Sequence, residues 1–189
     1  MAKLFEGGVK DESNADIGWM HNRSNFYSQG YKNAARELSR NFEGRGTREK
    51  DTLVFPVIFL YRQYIELELK DIIRGLDLKL QNSRSDKILE RHRLLSLWDE
   101  SISQYKKFIE LNKVGLVFTS ENCTKERSVV KQFDQLDQES FAFRYAMDKS
   151  GKNNLERIDY ISVNNFKENI ELVVKYLEDM IETLCHASE

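Results

Sequence analysis

Three charged residues, Arg62, Glu66 and Lys70, follow one another at spacings of four within an otherwise apolar stretch. On a helix they share one stripe. Charges on a largely apolar helix are costly unless paired. The stripe is therefore an internal ion ladder, a polar strip at a dimer seam, or the wall of a cleft. In the last case Arg62 or Lys70 binds phosphate and Glu66 orients it. His92 stands between Arg91 and Arg93. Its imidazole suits general-base work near neutral pH, or it simply packs and hydrogen-bonds near a helix start. Phe143-Arg144-Tyr145 places a guanidinium between two rings. That arrangement can hold phosphate and stack bases, or the rings can anchor a loop while Arg144 pairs with a carboxylate.

Other chemistries find no pattern. Lys149-Ser150-Gly151-Lys152 lacks the leading glycine of a phosphate loop and reads as a turn. No metal-ligand cluster or nucleophile elbow is present, and no cofactor is implied. His21 lies in a polar lead-in and His186 near the C-terminal end, where solvent exposure is expected. Cys123 and Cys185 have no CxxC spacing and read as free thiols in a reducing cytosol.

The elements that must position these groups are helical. Tyr27, Tyr31, Ala34, Ala35, Leu38 and Phe42 recur at three and four, predicting a first helix over 26–42. The run LVFPVIFLYRQYIELELKDIIR predicts a second over 53–74, apolar nearly all round and so central to a bundle. Pro56 is placed in its first turn and Gly75 as its stop. A third helix is predicted from His92 to Asn112 on Leu94, Trp98, Ile102, Tyr105 and Ile109. A fourth covers 125–138, and a last runs over 165–186 with Ser162 or Asn164 as cap. Val114–Ser120 is β-rich, and Arg157–Val163 is its candidate partner in a small two-stranded flap. Residues 1–22 read as a loose arm.

Composition agrees with this class. The chain has 189 residues, enough for one domain with a real core. One proline and nine glycines suit long helices better than a sandwich rich in turns. The net charge of −2 supplies no global field toward nucleic acid or anionic membrane, so an RNA site would be a local basic patch. No window reaches the apolar length of a membrane span, and Met1–Gly8 contains no apolar core of a signal peptide. A cytoplasmic protein is expected.

Taken together, these pieces resemble the HEPN superfamily of helical domains. The segment from Phe55 to Lys70 is similar to a family helix ending E-L-x-L-K, here Glu66-Leu67-Glu68-Leu69-Lys70. His92 to Trp98 resembles an H-x-L-x-x-L entry to the next helix. Phe143-Arg144-Tyr145 resembles an F-R-Y of uncharacterised prokaryotic members. Phe26-Tyr27 with Gly30-Tyr31 is similar to the opening of the family's first helix. The resemblance covers about two-thirds of the chain. It implies a bundle that dimerises and is associated with RNA cleavage, toxin–antitoxin pairs or phage defence. The ribonuclease members carry an arginine followed after four to six residues by a histidine. This chain departs there: Arg84 precedes His92 by one residue too many, and no histidine follows Arg144 at that spacing.

The expectation is therefore an all-α, up-and-down bundle of about five helices that forms a homodimer. It binds RNA or an operon-encoded protein partner without the usual ribonuclease motif. The residues expected at a polar cleft are Arg62, Glu66, Lys70, His92, Arg144 and Tyr145. Two alternatives stand beside it. One is a divergent metal-independent ribonuclease, with His92 as base and Arg144 or Arg62 at the phosphorane. The other is a purely protein-binding component.

Overall fold

Burial on nearly all sides makes one helix the organising element of the chain. The computed structural model describes residues 12, 14–17, 24–82, 86–112 and 123–186. Among these are six α-helices: α1 (Ser24–Leu38), α2 (Thr47–Lys79), α3 (Asp86–Leu89), α4 (Leu94–Asn112), α5 (Thr124–Leu136) and α6 (Val163–His186). The architecture is an all-α bundle, as the periodicity predicts. The sixth helix, beyond the five expected, is the four-residue α3.

Helix α2 packs against α1, α4 and α6, while α5 closes the bundle against α4 and α6. Val57, Ile58, Tyr61, Ile65, Leu69, Ile72 and Leu76 of α2 are buried. They meet Leu94, Trp98, Ile102 and Ile109 of α4 and Ile170, Val173, Leu177 and Met180 of α6 in one core. Each fully buried aliphatic side chain contributes about 1.5–3 kcal/mol relative to exposure. The apolar stripes of α2 and α6 are thus used within the chain.

Helix α2 is longer at both ends than the 53–74 expected. Pro56 lies in its third turn rather than its first. The carbonyl that proline leaves without an N–H partner is that of Thr52, an exposed residue that water can reach. Gly75 does not stop the helix, because Leu76 one position on is fully buried and extends the apolar stripe. The stop falls at Gln81, whose φ of 51° takes the left-handed position. There Asn82 N–H donates to the carbonyl of Asp77 at 3.0 Å, the six-to-one closure of a helix end.

Elsewhere the bounds shift by small amounts. α1 ends at Leu38, and Phe42 sits instead in a short 3-10 turn, Phe42–Gly44, after Asn41 in the left-handed region. Ser162 caps α6, its hydroxyl accepting the Asn165 N–H at 3.3 Å. The expected flap is corrected: Arg157–Val163 is not a strand, since Val163 already opens α6. The proposed partner 114–120 lies outside the described residues, as do His21, Arg84 and most of the N-terminal arm. The one β-type pairing among the described residues is an isolated antiparallel bridge between Met147 and Asn153. It closes the turn predicted at Lys149–Lys152, where Asp148 accepts N–H bonds from Ser150 and Lys152. No described helix is long and apolar enough to cross a membrane.

Candidate functional site

Spacings of four, three, four and four carry Phe55, Phe59, Arg62, Glu66 and Lys70 along one stripe of α2. The C-terminal part of the stripe is an internal ion network. Glu66 is buried, and its Oε1 accepts from Lys70 Nζ at 2.8 Å. Its Oε2 accepts from Arg62 Nη1 at 2.9 Å. His92, from the segment entering α4, places Nδ1 2.9 Å from the same Oε1. Burial pushes the Glu66 carboxyl upward, the largest single effect, but bonds from Lys70, His92 and Arg62 together outweigh it and hold it below its ordinary value.

Arg62 is 0% exposed. Every one of its nitrogens is committed. Nη2 donates to the carbonyls of His92 at 2.8 Å and Asp137 at 3.2 Å, and Nε donates to the Asp137 carbonyl at 3.3 Å. The guanidinium therefore braces α2 to the start of α4 and the end of α5. Buried as it is, it is closed to a ligand from solvent. Lys70 is likewise buried on Glu66. His92 differs, because half of its ring surface (53%) is open to solvent.

The brace continues into the loop that carries Arg144. Asp137 terminates α5, and its Oδ1 accepts the N–H groups of Phe141 at 2.7 Å and Ala142 at 3.0 Å. Its Oδ2 lies 3.3 Å from Arg62 Nε, an ionic contact without an aligned hydrogen bond. Ser140 is held with φ at 62°. For a residue with a side chain this conformation costs about 1–3 kcal/mol and persists only where neighbours enforce it. It directs the Ser140 carbonyl to accept from Arg144 Nε at 2.5 Å. The Arg144 guanidinium then lies against three rings, with centroids at 5.0 Å (Phe141), 5.5 Å (Phe59) and 5.6 Å (Tyr145).

Arg144 and Tyr145 line a groove of about 900 Å³. One side is the first turns of α2, including Lys50, Asp51 and Phe55; the other is the strap 155–162 leading into α6. Beyond the strap a second groove, about 650 Å³, runs along α5 and α6 past Phe133 and Phe166. Tyr160 stands on the strap, borders both grooves and is 95% exposed.

The candidates thus divide into two places. Arg62, Glu66, Lys70 and His92 form one network; Arg144 and Tyr145 belong to the groove. Glu66, which holds His92, and Phe59, which carries Arg144, are seven residues apart on α2, roughly 10 Å along its axis. Sequence reasoning missed Asp137, Ser140, Phe55 and Tyr160. An aspartate just past a helical stripe is a signal for a capped turn; exposure of a ring on a strap leaves none.

A second polar interface was also not anticipated. Arg36 of α1 donates two bonds to Glu171 of α6, at 3.0 and 2.5 Å, and Tyr61 donates to the same carboxylate at 2.8 Å. Nearby Lys32 pairs with Glu178, and Gln29 donates to Glu68 at 3.1 Å. Among the described residues no group of histidine, cysteine and carboxylate side chains could hold a metal ion. No protein-family model, no curated protein and no solved structure matches this chain.

Proposed function

We propose that this chain is a non-catalytic, HEPN-like binding module of the cytoplasm, whose groove beside Tyr160 receives a segment of a partner protein. The setting is the defence or toxin–antitoxin type that the sequence resemblance implies. The observation that carries the reading is the character of the groove lining. It presents exposed rings, Phe55, Tyr145 and Tyr160, together with Arg144. Aromatic residues and arginine are the side chains that dominate protein–protein binding energy. The charges are mixed: Lys50 and Arg144 against Glu43, Asp51 and Asp159, two cations and three carboxylates, hence a local charge of −1. A phosphate backbone gains affinity by neutralisation with a cationic surface, which this lining does not offer. Self-association would have to use such outer surfaces too, because the stripes of α2 and α6 are consumed inside the bundle.

The test joins two measurements. Purified protein is titrated against labelled single-stranded and structured RNA, and a photoreactive Tyr160→p-benzoylphenylalanine variant is crosslinked in its native cell. We expect RNA binding no tighter than the roughly micromolar non-specific range, and a discrete protein adduct that Tyr145→Ala suppresses. Tight, salt-sensitive RNA binding, or adducts indifferent to Tyr145, would overturn the reading.

A further inference from the structure

Of the cationic side chains that border the groove, Arg144 is the one whose guanidinium is fixed in place by the fold. Its Nε is tied to the Ser140 carbonyl. Its Cζ lies 5.0–5.6 Å from the ring centroids of Phe59, Phe141 and Tyr145. Neither Nη atom has a hydrogen-bond partner among the described residues, although the residue is exposed. A guanidinium offers two forks, the side-on pair Nε/Nη and the end-on pair Nη1/Nη2. Ser140 occupies the first and leaves the second. The loop that sets this up is over-determined: Asp137 ties down two of its N–H groups, Arg62 holds the Asp137 carbonyl, and Ser140 is kept at positive φ. A strained backbone maintained by neighbours to present one side chain is a recurring feature of ligand clamps.

We infer that Arg144 is the specificity element of the groove and that its free end-on fork binds one side-chain carboxylate, Asp or Glu, within an extended partner segment. This rests on the protein-binding reading above. An end-on guanidinium matches the two oxygens of a carboxylate, and a fork already immobilised loses little freedom on binding. The aromatic rings beside it favour an apolar residue next to the acidic one. A single carboxylate fits, where a run of anions does not, because Asp51 and Asp159 share the lining. Those two are acceptors, and a main chain that continues past the acidic residue brings N–H donors to meet them. A chain terminus brings fewer.

The experiment is an NMR titration of the whole protein with small probes, which detects millimolar binding. The probes are N-acetyl-Leu-Asp-amide, N-acetyl-Leu-Asn-amide, N-acetyl-leucine and uridine 5′-monophosphate. The signals followed are the Arg144 Nε–H and the amides of Phe55, Tyr145 and Tyr160. The Asp peptide is expected to shift them saturably and to bind about two- to fivefold more tightly than the Asn peptide, the margin of an exposed ion pair. It should also exceed N-acetyl-leucine. Arg144→Gln should erase the Asp preference while leaving the residual shift of the Asn peptide at Phe55 and Tyr160, and Arg144→Lys should restore only part of it. Equal binding of the Asp and Asn peptides overturns the carboxylate inference and leaves the protein-binding groove standing. Preference for N-acetyl-leucine overturns the side-chain assignment. A groove that answers only to uridylate, or to no probe, overturns the inference, and the uridylate result overturns the proposed function with it.

Discussion

His92 and Glu66 are bonded through Nδ1 and Oε1 at 2.9 Å, and the His92 carbonyl also accepts from Arg62, which is itself paired with Glu66. The histidine is therefore anchored by ring and by backbone to one buried charge cluster. Because Glu66 is held ionised, Nδ1 carries the proton and donates. The solvent-facing part of the ring follows from a structural bond behind it.

Breaking that cluster should cost much more than breaking a surface pair. Glu66→Gln removes the carboxylate shared by buried Arg62 and Lys70 and leaves Asp137 as the one carboxylate beside Arg62; loss of one partner of a buried pair costs about 3–5 kcal/mol. Urea denaturation at neutral pH should show this loss. Arg62→Met combined with Glu66→Leu should give no relief, because buried Lys70 and Asp137 would each lose the charge they pair with. The sign with pH follows from the depressed carboxyl. Its contribution is complete above the unfolded value of about 4.3 and is lost as pH falls through the folded value. The gap between wild type and Glu66→Gln should therefore narrow only in acid.

Glu68, two positions along the same helix, should behave oppositely. It is buried between α1 and α2, one oxygen accepts from Gln29, and the other has no hydrogen bond. Burial, with Asp71 adding to it, raises its carboxyl above the ordinary value in spite of Ser28 and Lys32. A raised carboxyl favours folding at low pH, and that contribution declines as pH rises through the folded value. Glu68→Gln should stabilise the protein at pH 7 by about 1 kcal/mol, as expected when ionisation of a poorly satisfied buried group is removed. Melting temperatures of both proteins should converge toward pH 4. A Glu68→Gln variant that melts lower at pH 7 contradicts this account.

How far the sequence discloses these features depends on range. The stripes of α4 and α6 and the ladder Arg62–Glu66–Lys70 are legible because helical spacing alone places those residues together. The two bonds that give the ladder its role cross 26 positions to His92 and 75 to Asp137, and no local pattern encodes them. Arg157–Val163 reads as a strand because Ile158, Ile161 and Val163 are β-branched. In the structure Ile158 and Ile161 line the grooves from a strap without a partner strand, and Val163 begins a helix. The groove itself depends on the α2 terminus meeting the 142–146 turn, which is tertiary information. Phe143-Arg144-Tyr145 was visible as a motif; that its arginine leans on Phe59 was not.

The continuation of α2 through Gly75 makes its own prediction. Glycine inside a helix is less favourable than alanine by about 0.5–1 kcal/mol. A Cβ built at Gly75 meets nothing within 4 Å. Gly75→Ala should thus stabilise the protein by about that amount, seen as a higher urea midpoint with an unchanged slope. If Gly75 instead ended the helix at a left-handed position, the same substitution would destabilise.

The arrangement also predicts the outcome of a nuclease assay. Metal-independent cleavage of RNA needs a base on the ribose 2′-hydroxyl and a cation on the phosphorane within hydrogen-bond reach of one phosphate. His92 is bonded to Glu66 and Arg144 rests on Phe59, positions roughly 10 Å apart along α2. The nearer guanidinium, Arg62, is buried and has each nitrogen bonded. Purified protein incubated with labelled single-stranded and structured RNA should give no cleavage above background, and His92→Ala and Arg144→Ala should match it. The two variants should still separate in other assays. His92→Ala loses one bond to Glu66, which Lys70 and Arg62 continue to hold, so its stability should fall by only about 1 kcal/mol. Arg144→Ala should weaken partner binding as well, which His92→Ala should not. Cleavage by the wild type that disappears in both variants would establish a divergent ribonuclease. It would require the Arg144 loop to swing toward His92 when RNA binds, against the bonds from Asp137 that now hold it.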